Sequence, residues 1–108
     1  MQALRGTLVL LLALAPLCAR AQEPGNAQAG RVYAHSQCTQ CHALGPGLSP
    51  HLDAPSFFAL ANTPGMTGRA LAAALQTSHE TMPSFVLEGR DRDNIIAYIM
   101  SLRDRRQP

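Results

Sequence analysis

Apolar and small residues recur at three- and four-residue spacing in several stretches of this chain, and that period predicts helices. Asn26 is a helix N-cap residue at the end of a short Glu23-Pro24-Gly25 linker. Beyond it Gly30, Ala34, Cys38 and Cys41 form a stripe on a helix from Ala27 to about Gln40. His42 to Pro55 reads as loop, broken by Gly45-Pro46-Gly47, Pro50 and Pro55. Asp53 is placed to cap a short helix through Phe57, Phe58 and Leu60, and Asn62-Thr63-Pro64-Gly65 reads as a turn. Thr67 caps a helix to about Ser78, with Leu71, Ala74, Leu75 and Ser78 on one face. Thr81 to Gly89 is expected to be extended, because Pro83 disfavours helix at Met82. Asp91 caps a last helix whose buried stripe is Ile95, Tyr98, Ile99 and Leu102. No period-two alternation marks a strand and no internal repeat is present, so the expected fold class is all-α.

The first apolar run is of another kind. Arg5 precedes an unbroken stretch from Leu8 to Leu14, too short to span a bilayer and of the length of a signal-peptide core. Ala19-Arg20-Ala21 is an Ala-x-Ala cleavage site. The expected organisation is a cleaved secretory signal peptide over 1–21 and one domain over 22–108. Cys18 does not make a lipoprotein site, since Leu17 is too large for the residue before a lipidated cysteine, so no membrane anchor is expected. Cleavage removes Arg5 and Arg20 and brings the formal charge of +2 to zero. With no lysine anywhere, a nucleic-acid-binding patch is excluded. Large side chains are few (Tyr33, Phe57, Phe58, Phe85, Tyr98 and no Trp), and a core this thin needs a staple.

Cys38 and Cys41 are the only cysteines left after cleavage, so no disulfide supplies that staple. They stand in Cys38-Thr39-Gln40-Cys41-His42, the Cys-x-x-Cys-His pattern of covalent c-type haem attachment. Three-residue spacing on a helix turns both thiols to one side, where they reach the two vinyl groups of one porphyrin. Zinc would want a second Cys/His pair, and His35, His51 and His79 are isolated singles. A thioredoxin-like pair would want a βαβ context, which is missing. His42 is the proximal iron ligand, and its other N–H needs a carbonyl acceptor, for which the Gly45-Pro46 turn is a candidate.

For the distal ligand Met82 is favoured, being on a segment between two helices and followed by Pro83. Met66 has the spacing of a hydrophobic staple to Leu71, and Met100 lies near an apolar helix stripe. His79, Met66 and an open distal position are the alternatives. A His/Met pair raises the reduction potential and closes the iron to oxygen and peroxide. Phe57, Phe58, Leu71, Leu75 and Phe85 are expected to line the haem pocket, and Arg103, Arg105 and Arg106 to form a solvated helix end. His35 and His51 are expected to be exposed. Glu80 is one carboxylate without a defined pocket, which does not make a general acid or base.

Together these residues resemble the small single-haem class I cytochromes c of the bacterial periplasm, over essentially the whole mature chain. Cys38 to His42 match the attachment motif. Gly45-Pro46-Gly47-Leu48 is similar to that family's Gly-Pro-x-Leu loop, whose proline carbonyl accepts from the axial histidine, and Met82-Pro83 to its distal methionine segment. Gly30 and Tyr33, set against Ile95 and Tyr98, resemble its crossing of first and last helices. The resemblance implies several short helices wrapped around one covalent haem c. It also implies a single-electron carrier of the periplasm, loaded by the c-type haem maturation machinery and exchanging electrons with a redox donor and acceptor. The alternatives are an electron-transfer subunit of a larger dehydrogenase or oxidase, and a haem-based peroxidase or gas sensor with an open distal site. The chain departs from relatives that dock through a ring of lysines at the haem edge, because it has none.

Overall fold

The computed structural model describes residues 23–77, 82, 87 and 89–104. Four helices run in the order α1 (Ala27–Gln37), α2 (Phe57–Ala61), α3 (Gly68–Gln76) and α4 (Gly89–Ser101), and no strand occurs among the described residues. Three of them start as capping chemistry requires. The side chains of Asn26, Ser56 and Thr67 accept from the backbone N–H three residues on, at Ala29, Ala59 and Ala70.

Four expected boundaries shift, and local chemistry accounts for them. α1 stops at Gln37 and not near Gln40, because the Thr39 hydroxyl takes the His35 carbonyl at 2.9 Å, the acceptor that a continuing helix would use. α2 is capped by Ser56 and not Asp53, since Pro55 holds Ala54 out of the helical region. α3 ends at Gln76, where Thr77 turns extended and its hydroxyl bonds back to Ala73 O at 2.9 Å. Asp91 lies inside the first turn of α4, suiting the positive helix end, and does not cap it. Gly89, the expected end of the extended segment, is instead the first residue of α4. Ser78, the rest of that segment apart from Met82 and Leu87, and Arg105 and Arg106 lie outside the described residues, as does the expected signal peptide.

The helices share one core of Ala34, Phe57, Ala61, Leu71, Ile95, Ile96, Tyr98 and Ile99, with Tyr33, Cys38, Met66 and Leu75 packed at its margin. The α1–α4 crossing is its most extensive contact. Gly30 makes that crossing possible: a Cβ there would fall 1.9 Å from Asn94 O and 2.9 Å from Tyr98 Cβ. Gly25, at φ +107°, lets the chain before α1 approach Asp93 in the same way. Asn94 then ties the two helices, its Oδ1 accepting the Asn26 N–H at 2.7 Å.

A second tie closes the other end of α4. Asn62 Nδ2 donates to Leu102 O at 3.3 Å, and Asn62 Oδ1 accepts the Asp104 N–H at 2.7 Å. Arg103 donates from Nε to Ala61 O at 3.3 Å and from its guanidinium to Met66 O. Arg103 is exposed, as expected, and these donors also reach carbonyls at the end of α2 and just after the Asn62–Gly65 turn. No helix among the described residues is long and apolar enough to cross a membrane.

Candidate haem site

After α1 the chain makes one further tight turn. Cys38 O accepts from both Cys41 N at 3.2 Å and His42 N at 2.9 Å, so the three residues of the motif are wound on a single carbonyl. Both thiols are free and half-buried. Cys38 packs against the core, and burial pushes its thiol above the ordinary range. Tyr33, one and a half turns before Cys38, is also pushed up. Burial is the larger cause, and the negative Asp91 across the helix crossing adds to it.

His42 is the most closely held residue of the motif. Its Nδ1 lies 2.7 Å from Pro55 O. A carbonyl can only accept, so Nδ1 carries the proton and Nε2 keeps the lone pair a metal needs. Phe57 stands against the ring, centroids 5.4 Å apart, and Tyr98 packs in turn on Phe57 at 6.3 Å. The imidazole is thus fixed by one hydrogen bond and by a chain of tilted and edge-on ring contacts that ends in α4.

This corrects the expected acceptor, which was the carbonyl of Pro46. The backbone explains the change. Phe57 N donates to Ala43 O at 2.9 Å, which draws Ala54-Pro55-Ser56-Phe57 alongside His42. The Gly45-Pro46-Gly47 loop swings outward, with nothing within 4 Å of a Cβ built at Gly45 or Gly47, and Leu48 is 87% exposed. Two segments share the pattern x-Pro-x-apolar, and the sequence signal that separates them is the Ser56 cap. A proline before an N-cap is fixed against the start of a helix, whereas a proline between two glycines is not.

Of the other expected site residues, Phe57 and Leu71 are buried, Phe58 and Leu75 are half-buried, and His35 and His51 are exposed as expected. Met82 is half-buried. His79, Glu80, Pro83 and Phe85 lie outside the described residues. The donor set suits haem c. Two thiols are held one turn apart and an imidazole with a free Nε2 follows them directly. A half-buried, largely uncharged surround disfavours water.

Comparison with known proteins agrees. Residues 25–99 match the family model described as cytochrome c oxidase, cbb3-type, subunit III. Cytochrome c-552 of Bradyrhizobium diazoefficiens is 37% identical over 102 residues, spanning 93% of this chain and 95% of that protein. The chain belongs to the cytochrome c family. No solved structure matches it.

As a small monohaem c-type cytochrome, the protein is an electron carrier with covalently bound haem c, and it exchanges electrons with redox partners. The all-helical arrangement of the described residues fits this family. For a c-type cytochrome the chain of ring contacts is informative. Phe57 reads equally as core in sequence, yet it is the residue that joins the imidazole to the α1–α4 crossing.

Proposed function

We propose that this cytochrome shuttles single electrons in the bacterial periplasm, released there by cleavage after Ala21 as one domain from Gln22 to Pro108. Cys38 and Cys41 form the thioethers, His42 is the proximal iron ligand through Nε2, and Met82 is the distal ligand. Haem c supplies a one-electron couple, which a thioether ligand biases towards iron(II). The residues around it keep the ligands in place. Pro55 fixes the imidazole tautomer and Phe57 fixes its plane, so that gaining or losing an electron requires little rearrangement. This reading assigns the protein no substrate chemistry of its own. The observation that carries this reading is the 2.7 Å contact between His42 Nδ1 and Pro55 O, which leaves one nitrogen free beside two thiols.

Optical spectra of the periplasmically expressed protein, oxidised and reduced, with and without CO, test the reading. A low-spin c-type spectrum, with the weak iron(III)–thioether band and no response to CO, is expected. A high-spin or CO-binding spectrum would replace the carrier with an open-site sensor or peroxidase. The family model's description favours a second reading, a subunit held in a larger oxidase. Copurification with a membrane oxidase through detergent extraction and size exclusion would support it, and elution as a small free protein would support the diffusing carrier.

A further inference from the structure

One hydrogen bond does not fix the plane of an imidazole. The 2.7 Å contact from His42 Nδ1 to Pro55 O holds one ring atom, and the ring can still swing about that line. A second contact has to set its plane, and the ring of Phe57 supplies one at 5.4 Å and 49°. Phe57 is anchored at its backbone as the first residue of α2, where its N–H meets Ala43 O at 2.9 Å. Its ring still turns about the side-chain bonds unless a further neighbour holds it. Tyr98 holds it, edge-on at 6.3 Å and 61°, an arrangement that aromatic rings favour. Phe57 and Tyr98 are both buried.

The helix crossing in turn places Tyr98. Its neighbours along α4 include Ile95 and Ile99, the largest fully buried side chains among the described residues. Its Cβ is 2.9 Å from the point a Cβ would occupy on Gly30 of α1, so any side chain at residue 30 would push Tyr98 away. The contacts therefore run from α1 through α4 and α2 to the residue that ends the attachment motif. We propose that Tyr98 is a positioning residue for the proximal ligand: through Phe57 it sets the plane of the His42 imidazole, and Gly30 sets how near Tyr98 stands. The inference rests on His42 being the proximal iron ligand. A contiguous set of contacts is not itself coupling, so the claim stands on whether a change at Tyr98 reaches the imidazole by way of Phe57.

The test is proton NMR of the oxidised holoprotein. The plane of an axial imidazole governs how unpaired spin spreads over a low-spin haem, so the haem methyl signals report that plane. Tyr98→Leu should change the pattern of methyl shifts while the optical spectrum stays low-spin and c-type. Tyr98→Phe keeps the ring and should restore the wild-type pattern. Gly30→Ala, which displaces Tyr98, should change the pattern as well. Phe57→Leu should change it and also silence the others: Tyr98→Leu and Gly30→Ala should add nothing further in that background. A second readout is deuterium exchange of the His42 Nδ1–H in the reduced protein. Loss of one edge-on ring contact should speed it about two- to tenfold in Tyr98→Leu and leave it unchanged in Tyr98→Phe. If Tyr98→Leu gives too little holoprotein, Tyr98→Met carries the same expectations.

A wild-type methyl pattern in Tyr98→Leu, with only a lower denaturant midpoint, would make Tyr98 plain core filling and overturn the proposal. So would a Tyr98→Leu effect that is undiminished in the Phe57→Leu background, since it would then not pass through Phe57. A Tyr98→Phe pattern like that of Tyr98→Leu would assign the effect to the hydroxyl and overturn it too. An unchanged pattern in Gly30→Ala would remove Gly30 from the chain of contacts. Failure of the underlying reading is distinct: the wild-type protein itself would then lack the c-type bands, or its His42 signals would not respond to oxidation.

Discussion

The His42 ring is constrained from two directions, by the Pro55 carbonyl on Nδ1 and by the tilted ring of Phe57. Met82 is half-buried and lies between α3 and α4 in the chain. In the proposed ligation its thioether would be the weaker of the two axial ligands, so the distal side is where a single substitution should act. Met82→Ala should retain covalent haem through Cys38 and Cys41, lose the low-spin spectrum and bind CO. Unchanged ligation in that variant would exclude Met82 as the ligand. Tyr33 allows a prediction in pH. Burial, with the Asp91 charge, raises its hydroxyl above the ordinary phenol value of about 10, so the native state holds the proton more tightly than the unfolded chain. The contribution to stability is complete below about pH 10 and is lost as pH rises through the raised native value. Tyr33→Phe removes a titrating group from both states. The urea midpoint of the wild type should therefore fall more steeply above pH 10 than that of Tyr33→Phe, and parallel curves would show that Tyr33 is not differentially protonated.

At the scale of elements, the α1–α4 crossing was open to reading because two local signals coincide. Gly30 falls on the apolar stripe of α1, where a side chain would otherwise belong, and Ile95, Tyr98 and Ile99 recur at helical spacing in α4. The structure adds what pattern cannot give, namely that the close partner of Gly30 is the backbone of Asn94. Gly30→Ala would place its methyl 1.9 Å from Asn94 O, a clash that neither helix backbone can relieve without separating the pair. It should cost about 2–3 kcal/mol, read as a lower denaturant midpoint of the holoprotein, even though alanine favours helix. A midpoint equal to or above wild type would mean that the helices do not cross there. The ties made by Asn62 and Arg103 were not legible, because they join residues 37 to 42 positions apart and depend on which groups the end of α4 happens to meet. The Pro55 acceptor was missed for the related reason that two prolines offered the same local pattern. The Ser56 cap is the local signal that separates them, and the long-range bond from Phe57 N to Ala43 O brings Pro55 to the imidazole.

For the whole molecule, the composition of the core decides how much of the fold the chain can hold alone. Among the described residues, two of the eight buried members of the core cluster are alanines, and the largest fully buried side chains are Ile95 and Ile99. The half-buried Cys38, Leu44, Leu60, Met66, Leu75 and Leu87 all border that core without being enclosed by it. In a domain of this size such a core supplies only about 3–5 kcal/mol, comparable with what one cofactor contact surface can add. The α1–α4 pair carries its own glycine contact and the Asn94 tie, so it should persist as local helix. α2 and α3 depend on a common apolar centre. Replacing both thiols, Cys38→Ser with Cys41→Ser, should then yield a chain that keeps part of its far-ultraviolet helical signal. Its near-ultraviolet bands and its sharp thermal transition should be lost. If the double variant instead melts cooperatively near the wild-type temperature, the protein core is sufficient by itself, and the thioethers serve only to retain the cofactor.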